Sequence, residues 1–195
     1  MYKVGERTYL LGETETQDLP LGAISIRLKP CFPLFAFGYG WHSSTKAFIN
    51  LLEHTDLAGK TVLDLGSGNG ILSILAMKLG ASKAVAVDLS WQATKFCTEH
   101  AILNSVQVEI LEKEIEALDS TEYDLVLGNL SLKPNEPQKA LQLDRFSKPG
   151  GNLFFLYDID ETWRLEKAHK KHGNQLVSKE SVGGKWRLYH MKKDF

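Results

Sequence analysis

The fold is decided by the stretch Thr61-Val-Leu-Asp-Leu-Gly-Ser-Gly-Asn-Gly70. Its first five residues are apolar or β-branched around one aspartate, which predicts a buried strand. Three glycines at alternate positions then predict a tight turn. The apolar run Ile71–Leu79, which contains no breaker and stops at Gly80, predicts a helix with a glycine at its end. Strand, glycine turn and helix in this order form the first half of a nucleotide-binding βαβ unit.

The next segment indicates which ligand such a unit would bind. Lys83–Val87 predicts a second buried strand, and it is followed by Asp88 at about the distance, roughly 20 residues, where an acid binds ribose hydroxyls. The glycine spacing is G-x-G-x-G and not the G-x-G-x-x-G of dinucleotide loops. Asp64 beside the loop suits a ligand with an amino group and a positive sulfonium better than an anionic pyrophosphate. We therefore predict S-adenosylmethionine as cofactor; the alternative is a glycine turn without a ligand.

Composition limits the other classes of function. The chain has 195 residues, of which 43% are hydrophobic and 24% charged, as expected of one ordinary globular domain. A net charge of −1 gives no support for binding nucleic acid or a membrane surface. Cys31 and Cys97 are too few for a disulfide framework, and no apolar leader or spanning segment is visible. A cytoplasmic protein is the expectation.

The remaining pattern predicts an α/β fold. Strands alternate with helices and end in a hairpin signal at Gly183-Gly184, so we expect a doubly wound, mostly parallel seven-stranded sheet with an antiparallel terminal hairpin. The strands Arg7–Leu11 and Ala23–Leu28 are expected to form a short N-terminal β-hairpin. We assign residues 1–35 to this N-terminal extension and residues 36–195 to the main domain.

An aromatic segment precedes the first predicted helix. Pro30–His42 carries Gly38 and Gly40 among bulky side chains, which fits either a glycine-hinged flap over a ligand or a connector that seals the sheet edge. Ser43 or Ser44 is expected to cap the helix that runs to about His54.

Three segments resemble a known family. They are Ala36-Phe-Gly-Tyr-Gly-Trp-His-Ser-Ser-Thr45, the region from Val62 to Val106, and Gly128-Asn-Leu-Ser-Leu-Lys-Pro134. Together they resemble class I S-adenosylmethionine-dependent methyltransferases and, more narrowly, the PrmA-type ribosomal-protein lysine methyltransferases. Weaker similarity covers nearly the whole chain. Tyr39 and Trp41 depart from the family's small or polar residues, and we expect the family's N-terminal substrate-recognition domain to be missing.

The resemblance implies that Thr45, Gly66, Asp88 and Asn129 contact the cofactor or bracket the transfer site. With the residues predicted from the loop and the strand ends, the predicted cofactor-binding set is Thr45, Asp64, Gly66, Gly68, Gly70, Asp88, Leu89, Glu114 and Asn129. Asn129 is also the predicted catalytic residue. The predicted flap and substrate entrance comprises Phe37, Gly38, Tyr39, Gly40, Trp41 and His42. No metal site is predicted, and His169 and His172 are expected on a solvated helix face.

The predicted reaction is methyl transfer to an amine nitrogen of a protein, a lysine or an N-terminal amine, with a ribosomal protein as the substrate that the resemblance implies. Such a reaction needs alignment of nucleophile and methyl more than acid–base groups, so no catalytic triad is expected. Two alternatives stay open: a small-molecule methyltransferase with the same core, and a cofactor-binding module without catalysis. Neither nucleic acid nor a membrane is expected as a partner.

Overall fold

A computed structural model of the chain describes residues 1–30, 42–119, 121–132, 142–158, 162–184 and 186–194. The strands are β1 (Tyr2–Lys3), β2 (Thr8–Gly12), β3 (Ile24–Leu28), β4 (Thr61–Leu65), β5 (Lys83–Asp88), β6 (Glu109–Glu112), β7 (Tyr123–Leu132), β8 (Ser147–Asp158), β9 (Asn174–Val182) and β10 (Trp186–Lys193). The α-helices are α1 (Ser43–Glu53), α2 (Ile71–Lys78), α3 (Trp91–Leu103) and α4 (Thr162–Lys171). Two 3-10 turns span Ile115–Ala117 and Leu143–Phe146.

The main sheet has seven strands in the order β6-β5-β4-β7-β8-β10-β9. The five neighbouring strands β6, β5, β4, β7 and β8 run parallel, whereas β10 is antiparallel to both β8 and β9. This is the predicted α/β fold, with the predicted terminal hairpin forming one end of the sheet. In such a sheet the carboxyl ends of the parallel strands meet at one edge.

The core lies on both faces of this sheet because successive residues of a strand point to opposite sides. Val62 and Leu125 pack in one buried cluster with α1 and α2, while Leu63 and Val126 pack in the other. Helix α2 is buried from Ile71 to Ala76, consistent with its nearly continuous apolar sequence. A strand that is covered on both faces is apolar at nearly every position. This pattern in β4, with Asp64 as the exception, allowed the strand to be predicted from the sequence.

The N-terminal strands pair differently from the prediction. β2 and β3 are parallel, with Thr8 opposite Ile24, and the antiparallel partner of β2 is the short β1. The expected hairpin between the two longer strands is therefore wrong. The polar segment 13–23 returns the chain to the starting end of β2, where Ile24 N donates to Arg7 O at 2.8 Å. The predicted division at residue 35 falls outside the described residues and stays a prediction.

His169 corrects a second expectation. Its side chain is fully buried, stacks on Phe155 with ring centroids 5.2 Å apart, and places Nδ1 3.3 Å from Asp144 Oδ1. The charged sequence of α4 suggested a solvated face, but the helix packs this one histidine against the sheet. His172 lies beyond the end of the helix and is exposed, as expected.

The sequence predicts two N-terminal helix caps, Ser43 or Ser44 for α1 and Ser90 for α3, and only the second is correct. Ser90 caps α3, accepting from Ala93 N at 3.4 Å. The cap of α1 is His42 and not Ser43 or Ser44: its Nδ1 accepts from Ser44 N at 3.3 Å. The sequence also predicts a helix over Gln138–Phe146; residues 138–141 lie outside the described residues, and Leu143–Phe146 forms a 3-10 turn. No described helix is long and apolar enough to cross a membrane.

Candidate active site

Four predicted residues lie where the parallel strands end. Gly66 follows β4, Asp88 ends β5, Glu114 lies two residues beyond β6, and Asn129 belongs to β7. Backbone hydrogen bonds join these ends: Gly66 N and Ser67 N donate to Val87 O at 2.8 and 3.0 Å, and Lys113 N donates to Asp88 O at 3.2 Å. The sheet therefore brings the predicted residues to the edge at which α/β proteins bind ligands.

The three loop glycines differ in what surrounds them. All have positive φ, at 68° for Gly66, 54° for Gly68 and 84° for Gly70, which side chains other than glycine rarely adopt. A Cβ at Gly66 would collide with the side chain of Leu130, and one at Gly70 would lie 2.5 Å from Cys97 Sγ. A Cβ at Gly68 would meet nothing within 4 Å. Two glycines thus make room for the protein's own side chains, and only Gly68 leaves its space open to a ligand.

Asp88 is fixed by the backbone on both sides. Its Oδ2 accepts from Gly68 N at 2.9 Å and its Oδ1 accepts from Ser90 N at 2.9 Å. A carboxylate can accept about four hydrogen bonds, so both oxygens keep capacity for further donors. The residue therefore orients the glycine loop and still presents acceptors to hydroxyl groups at the strand edge.

Asp64 is a buried carboxyl next to this loop. It is 0% exposed, and its Oδ2 accepts from Ser73 Oγ at 2.7 Å and from Ser73 N, in the first turn of α2, at 3.2 Å. Its Oδ1 has no hydrogen-bond partner among the described residues. Burial, and to a smaller extent the charge of Asp88, raise its pKa to about 6, although the bonds from Ser73 oppose the shift. A nearby cation would stabilise the ionised form.

Asn129 and Thr45 are in contact. The Asn129 Nδ2 donates to Thr45 Oγ1 at 3.4 Å, and the threonine is buried in the first turn of α1. The sequence predicts a strand over Asp124–Leu127 that ends before Asn129, but β7 continues to Leu132. Its pairing with β4 ends at Gly128, and its register with β8 shifts between Gly128 and Leu132. The asparagine therefore stands in an irregular part of the strand, and no residue in the described part of the chain donates to its amide oxygen.

The other predicted residues are less constrained. Leu89 is 66% exposed at the edge beside Asp88, and Glu114 is exposed at the start of the 3-10 turn. Because both side chains are exposed, a ligand at that edge could contact them. The predicted flap residues Phe37, Gly38, Tyr39, Gly40 and Trp41 lie outside the described residues.

Sequence reasoning missed several residues that hold the site. Ser73 binds Asp64, Leu130 and Cys97 pack on the loop, and His100 donates from Nδ1 to Asn69 O at 3.0 Å. Ser73 and His100 carried a usable signal, because a polar residue inside a buried helix must find a partner. Leu130 and Cys97 carried none, since an apolar residue does not reveal its neighbour.

Comparison with known proteins decides the family. The sequence model of the ribosomal protein L11 methyltransferase (PrmA) family matches residues 2–182. The chain belongs to this family. A ribosomal protein L11 methyltransferase from Syntrophomonas wolfei is 32% identical over 179 residues, covering 88% of this chain and 56% of that protein. The chain spans about half the length of the curated relatives it matches.

Solved structures support the fold. A ribosomal protein L11 methylase from Lactobacillus delbrueckii subsp. bulgaricus superposes with a TM-score of 0.81 at 24% identity, covering 99% of this chain and 97% of that one. A magnesium protoporphyrin IX methyltransferase from Synechocystis, solved with bound S-adenosylmethionine, superposes with a TM-score of 0.66 at 17% identity, covering 78% of each chain. The seven-stranded sheet is thus the sheet of a methyltransferase family.

Proposed function

We propose that this chain transfers a methyl group from S-adenosylmethionine to an amine nitrogen of a protein, with ribosomal protein L11 as the first substrate to test. The observation that carries the proposal is the Asn129 amide held against Thr45 at the same strand edge as Asp88 and the glycine loop. A ribosomal substrate agrees with the cytoplasmic location expected from the sequence.

The residues present fit this cofactor. Asp88 would accept from the ribose hydroxyls, and Leu89 and Glu114 would contact the adenine. The open space at Gly68 would admit the cofactor backbone. The carboxyl of Asp64, which lacks a partner on Oδ1 among the described groups, gives the site a negative potential suited to an amino group and a sulfonium. When bound, the cofactor would supply an electrophilic methyl and leave as a neutral thioether.

The chain's own contribution to the transfer is alignment. A free lysine amine has a pKa of ~10.4, so the enzyme must present its neutral form. The Asn129 Oδ1 would accept from that amine without the negative charge that holds an ammonium protonated. The Thr45 contact at 3.4 Å fixes the direction of the amide. Holding nucleophile and methyl in line supplies a large part of the rate of such displacements.

The acceptor is tested with labelled cofactor. The purified protein is incubated with methyl-labelled S-adenosylmethionine and either purified ribosomal protein L11 or a cell lysate, and the labelled species are identified by mass spectrometry. We expect label on an amine of L11, and labelling about 10- to 100-fold slower with the Asn129→Ala variant. Label only in small molecules would overturn the protein substrate, whereas cofactor binding without any transfer would overturn catalysis.

A further inference from the structure

Two polar side chains, His100 in α3 and Asn104 at its C-cap, hold the N-terminal sheet against the main domain. Asn104 Oδ1 accepts from Arg27 N at 2.8 Å, and its Nδ2 donates to Arg27 O at 2.8 Å. One helical turn earlier, His100 Nε2 accepts from Lys29 N at 3.0 Å. The backbone at the end of β3, from Arg27 to Lys29, is therefore bound to the C-terminal end of α3 by three hydrogen bonds.

His100 also reaches the glycine loop. Its Nδ1 lies 3.0 Å from Asn69 O, so one buried ring joins the loop to the backbone of Lys29. The side chain is 0% exposed, and both ring nitrogens are used. The loop residue it holds stands between Gly68, which faces open space, and Gly70, whose φ is 84°.

The two partners fix the state of the ring. A carbonyl only accepts and a backbone N–H only donates, so Nδ1 must carry the proton and Nε2 must be bare. Burial lowers the pKa of His100, which favours this neutral state. The charged neighbours Lys29 and Glu99 pair with each other at 3.2 Å. A second ring proton would point at the Lys29 N–H and break the bridge.

We propose that His100 is a positioning residue that couples the cofactor loop to the N-terminal sheet. A ligand that restrains the loop at Gly68 also restrains the carbonyl of Asn69. Through the two hydrogen bonds of the His100 ring, this restraint reaches the backbone N–H of Lys29. Lys29 directly precedes Pro30–His42, which the sequence predicts to be the flap or a sealing connector. The inference rests on the proposed cofactor, since without a ligand at the loop there is nothing to transmit.

The state of the ring is tested on the unaltered protein. Nitrogen-15 NMR of the histidine rings distinguishes the two neutral tautomers, and we expect His100 to be the Nδ1–H form at pH 8. Hydrogen exchange then measures the Lys29 amide with and without saturating S-adenosylhomocysteine. We expect slower exchange of this amide when the ligand is bound. An Nε2–H ring, or an exchange rate that the bound ligand leaves unchanged, would overturn the coupling.

Two variants separate the two ends of the bridge. His100→Asn keeps a donor at the position of Nδ1 for Asn69 O but leaves Lys29 N without an acceptor. His100→Gln keeps an acceptor at the position of Nε2 for Lys29 N but loses the bond to the loop. The exposed His172, changed to glutamine, serves as the matched control.

Each variant has its own expected readout. His100→Gln should raise the cofactor Kd about 5-fold, the effect of one lost neutral hydrogen bond. His100→Asn should leave Kd within about 2-fold but abolish the ligand-dependent slowing at Lys29. Equal effects of both variants would mean that the ring only fills space and would overturn the proposal. Failure of the unaltered protein to bind the cofactor would instead overturn the proposed function, while binding without a response at Lys29 overturns the coupling alone.

Discussion

The side-chain amide of Asn129 in β7 donates to the hydroxyl oxygen of Thr45 in α1 at 3.4 Å, across 84 positions of sequence. The bond uses one N–H of the amide, and none of the described residues donates to the amide oxygen. It lies where β7 has stopped pairing with β4, beyond Gly128. The direction of the Asn129 amide is therefore set by a neighbouring helix.

Removal of the Asn129 amide should affect turnover more than cofactor binding. We expect Asn129→Ala to lower kcat by about 10- to 100-fold and to change the cofactor Kd by less than about 3-fold, because the lost group positions the nucleophile. The measurements are turnover on the identified substrate and calorimetry with the cofactor. Equal losses in both would make Asn129 a cofactor ligand only, and no loss in either would make it structural.

Thr45 should act through Asn129. Thr45→Val keeps the shape of the side chain but removes the acceptor, and we expect it to lower kcat by about 5-fold, the effect of one hydrogen bond. Thr45→Ser keeps the hydroxyl and is the matched control. In the background of Asn129→Ala the valine substitution should have no further effect on turnover. Additive losses in that double variant would show that the two residues act independently.

Asp88 should contribute directly to cofactor affinity. Asp88→Ala would remove the charged acceptor that we propose for the ribose hydroxyls, and we expect a loss of ~1–3 kcal/mol in binding. Asp88→Asn is the control, because its one amide oxygen still accepts from a backbone N–H but carries no charge. Calorimetry with S-adenosylhomocysteine measures both. A folded alanine variant with the original Kd would exclude Asp88 from the ligand site.

Gly68 and Gly70 should respond differently to the same substitution. Gly70→Ala combines a positive φ with a Cβ only 2.5 Å from Cys97 Sγ, so we expect it to lower the free energy of unfolding by about 2–5 kcal/mol. Gly68→Ala meets no neighbour within 4 Å and should cost only about 1–2 kcal/mol of stability. Its methyl group occupies the space open to ligand, so the cofactor Kd should rise ~10-fold or more.

The glycine contrast is measured by urea unfolding and calorimetry. Cys97→Ala should recover part of the stability lost in Gly70→Ala, since it removes the colliding sulfur. Cys97→Ala should restore no stability to Gly68→Ala, and this second double variant serves as the control. The assignment of the two glycines would be contradicted if Gly68→Ala unfolded the domain while Gly70→Ala did not.

Asp64 should make stability depend on pH. Its pKa is raised from 3.8 to about 6 in the folded chain, so the folded state holds a proton that the unfolded state has lost between these values. Stability therefore falls as pH rises from about 4 to about 6, by about 3 kcal/mol in total, and the cost is constant above that range. Asp64→Asn has no carboxyl to ionise, so its free energy of unfolding does not fall in this way. The free energy of unfolding of the variant minus that of the original chain should therefore increase between about pH 4 and about pH 6.

Urea unfolding at pH 4.5, 6 and 8 tests the stability difference between Asp64→Asn and the original chain. The binding of S-adenosylmethionine gives a second readout. A cationic ligand favours the ionised carboxyl, so the cofactor affinity of the original chain should weaken as pH falls below about 6. A stability difference that is the same at all three pH values would show that Asp64 does not titrate in this range.

The sequence predicted those parts of the molecule that are set by local pattern. Thr61–Leu65, the glycine turn and α2 carry their signals in adjacent residues, and the strand ends bring Asp88 and Asn129 to one edge without further information. The pairing of β2 with β3 was missed because a parallel or antiparallel arrangement depends on the path of the connecting segment. A strand's own residues do not encode that path.

Other misses were tertiary in origin. His169 is buried because α4 packs it against Phe155. The sequence of the helix is charged on most sides and does not indicate which residue faces the sheet. Asn129 was placed beyond its strand because the apolar run ends there. The strand continues because its far end still pairs with β8, at Leu132 and Tyr157. The neighbours of Gly66 and Gly70 come from distant parts of the chain and leave no local trace.

The position of β10 has a consequence for synthesis. Although it is the last of the described strands, it lies between β8 and β9 and pairs with both. Until residues 186–193 have left the ribosome, β8 exposes a free edge and β9 has no partner in the sheet. The strands around Asp88, which are β4, β5 and β6, pair only with one another and with β7. This half of the sheet can therefore form before β10 is synthesised. Until these residues are synthesised, the nascent chain therefore carries an unpaired apolar strand, and chaperone binding or misassembly is most to be expected at that stage.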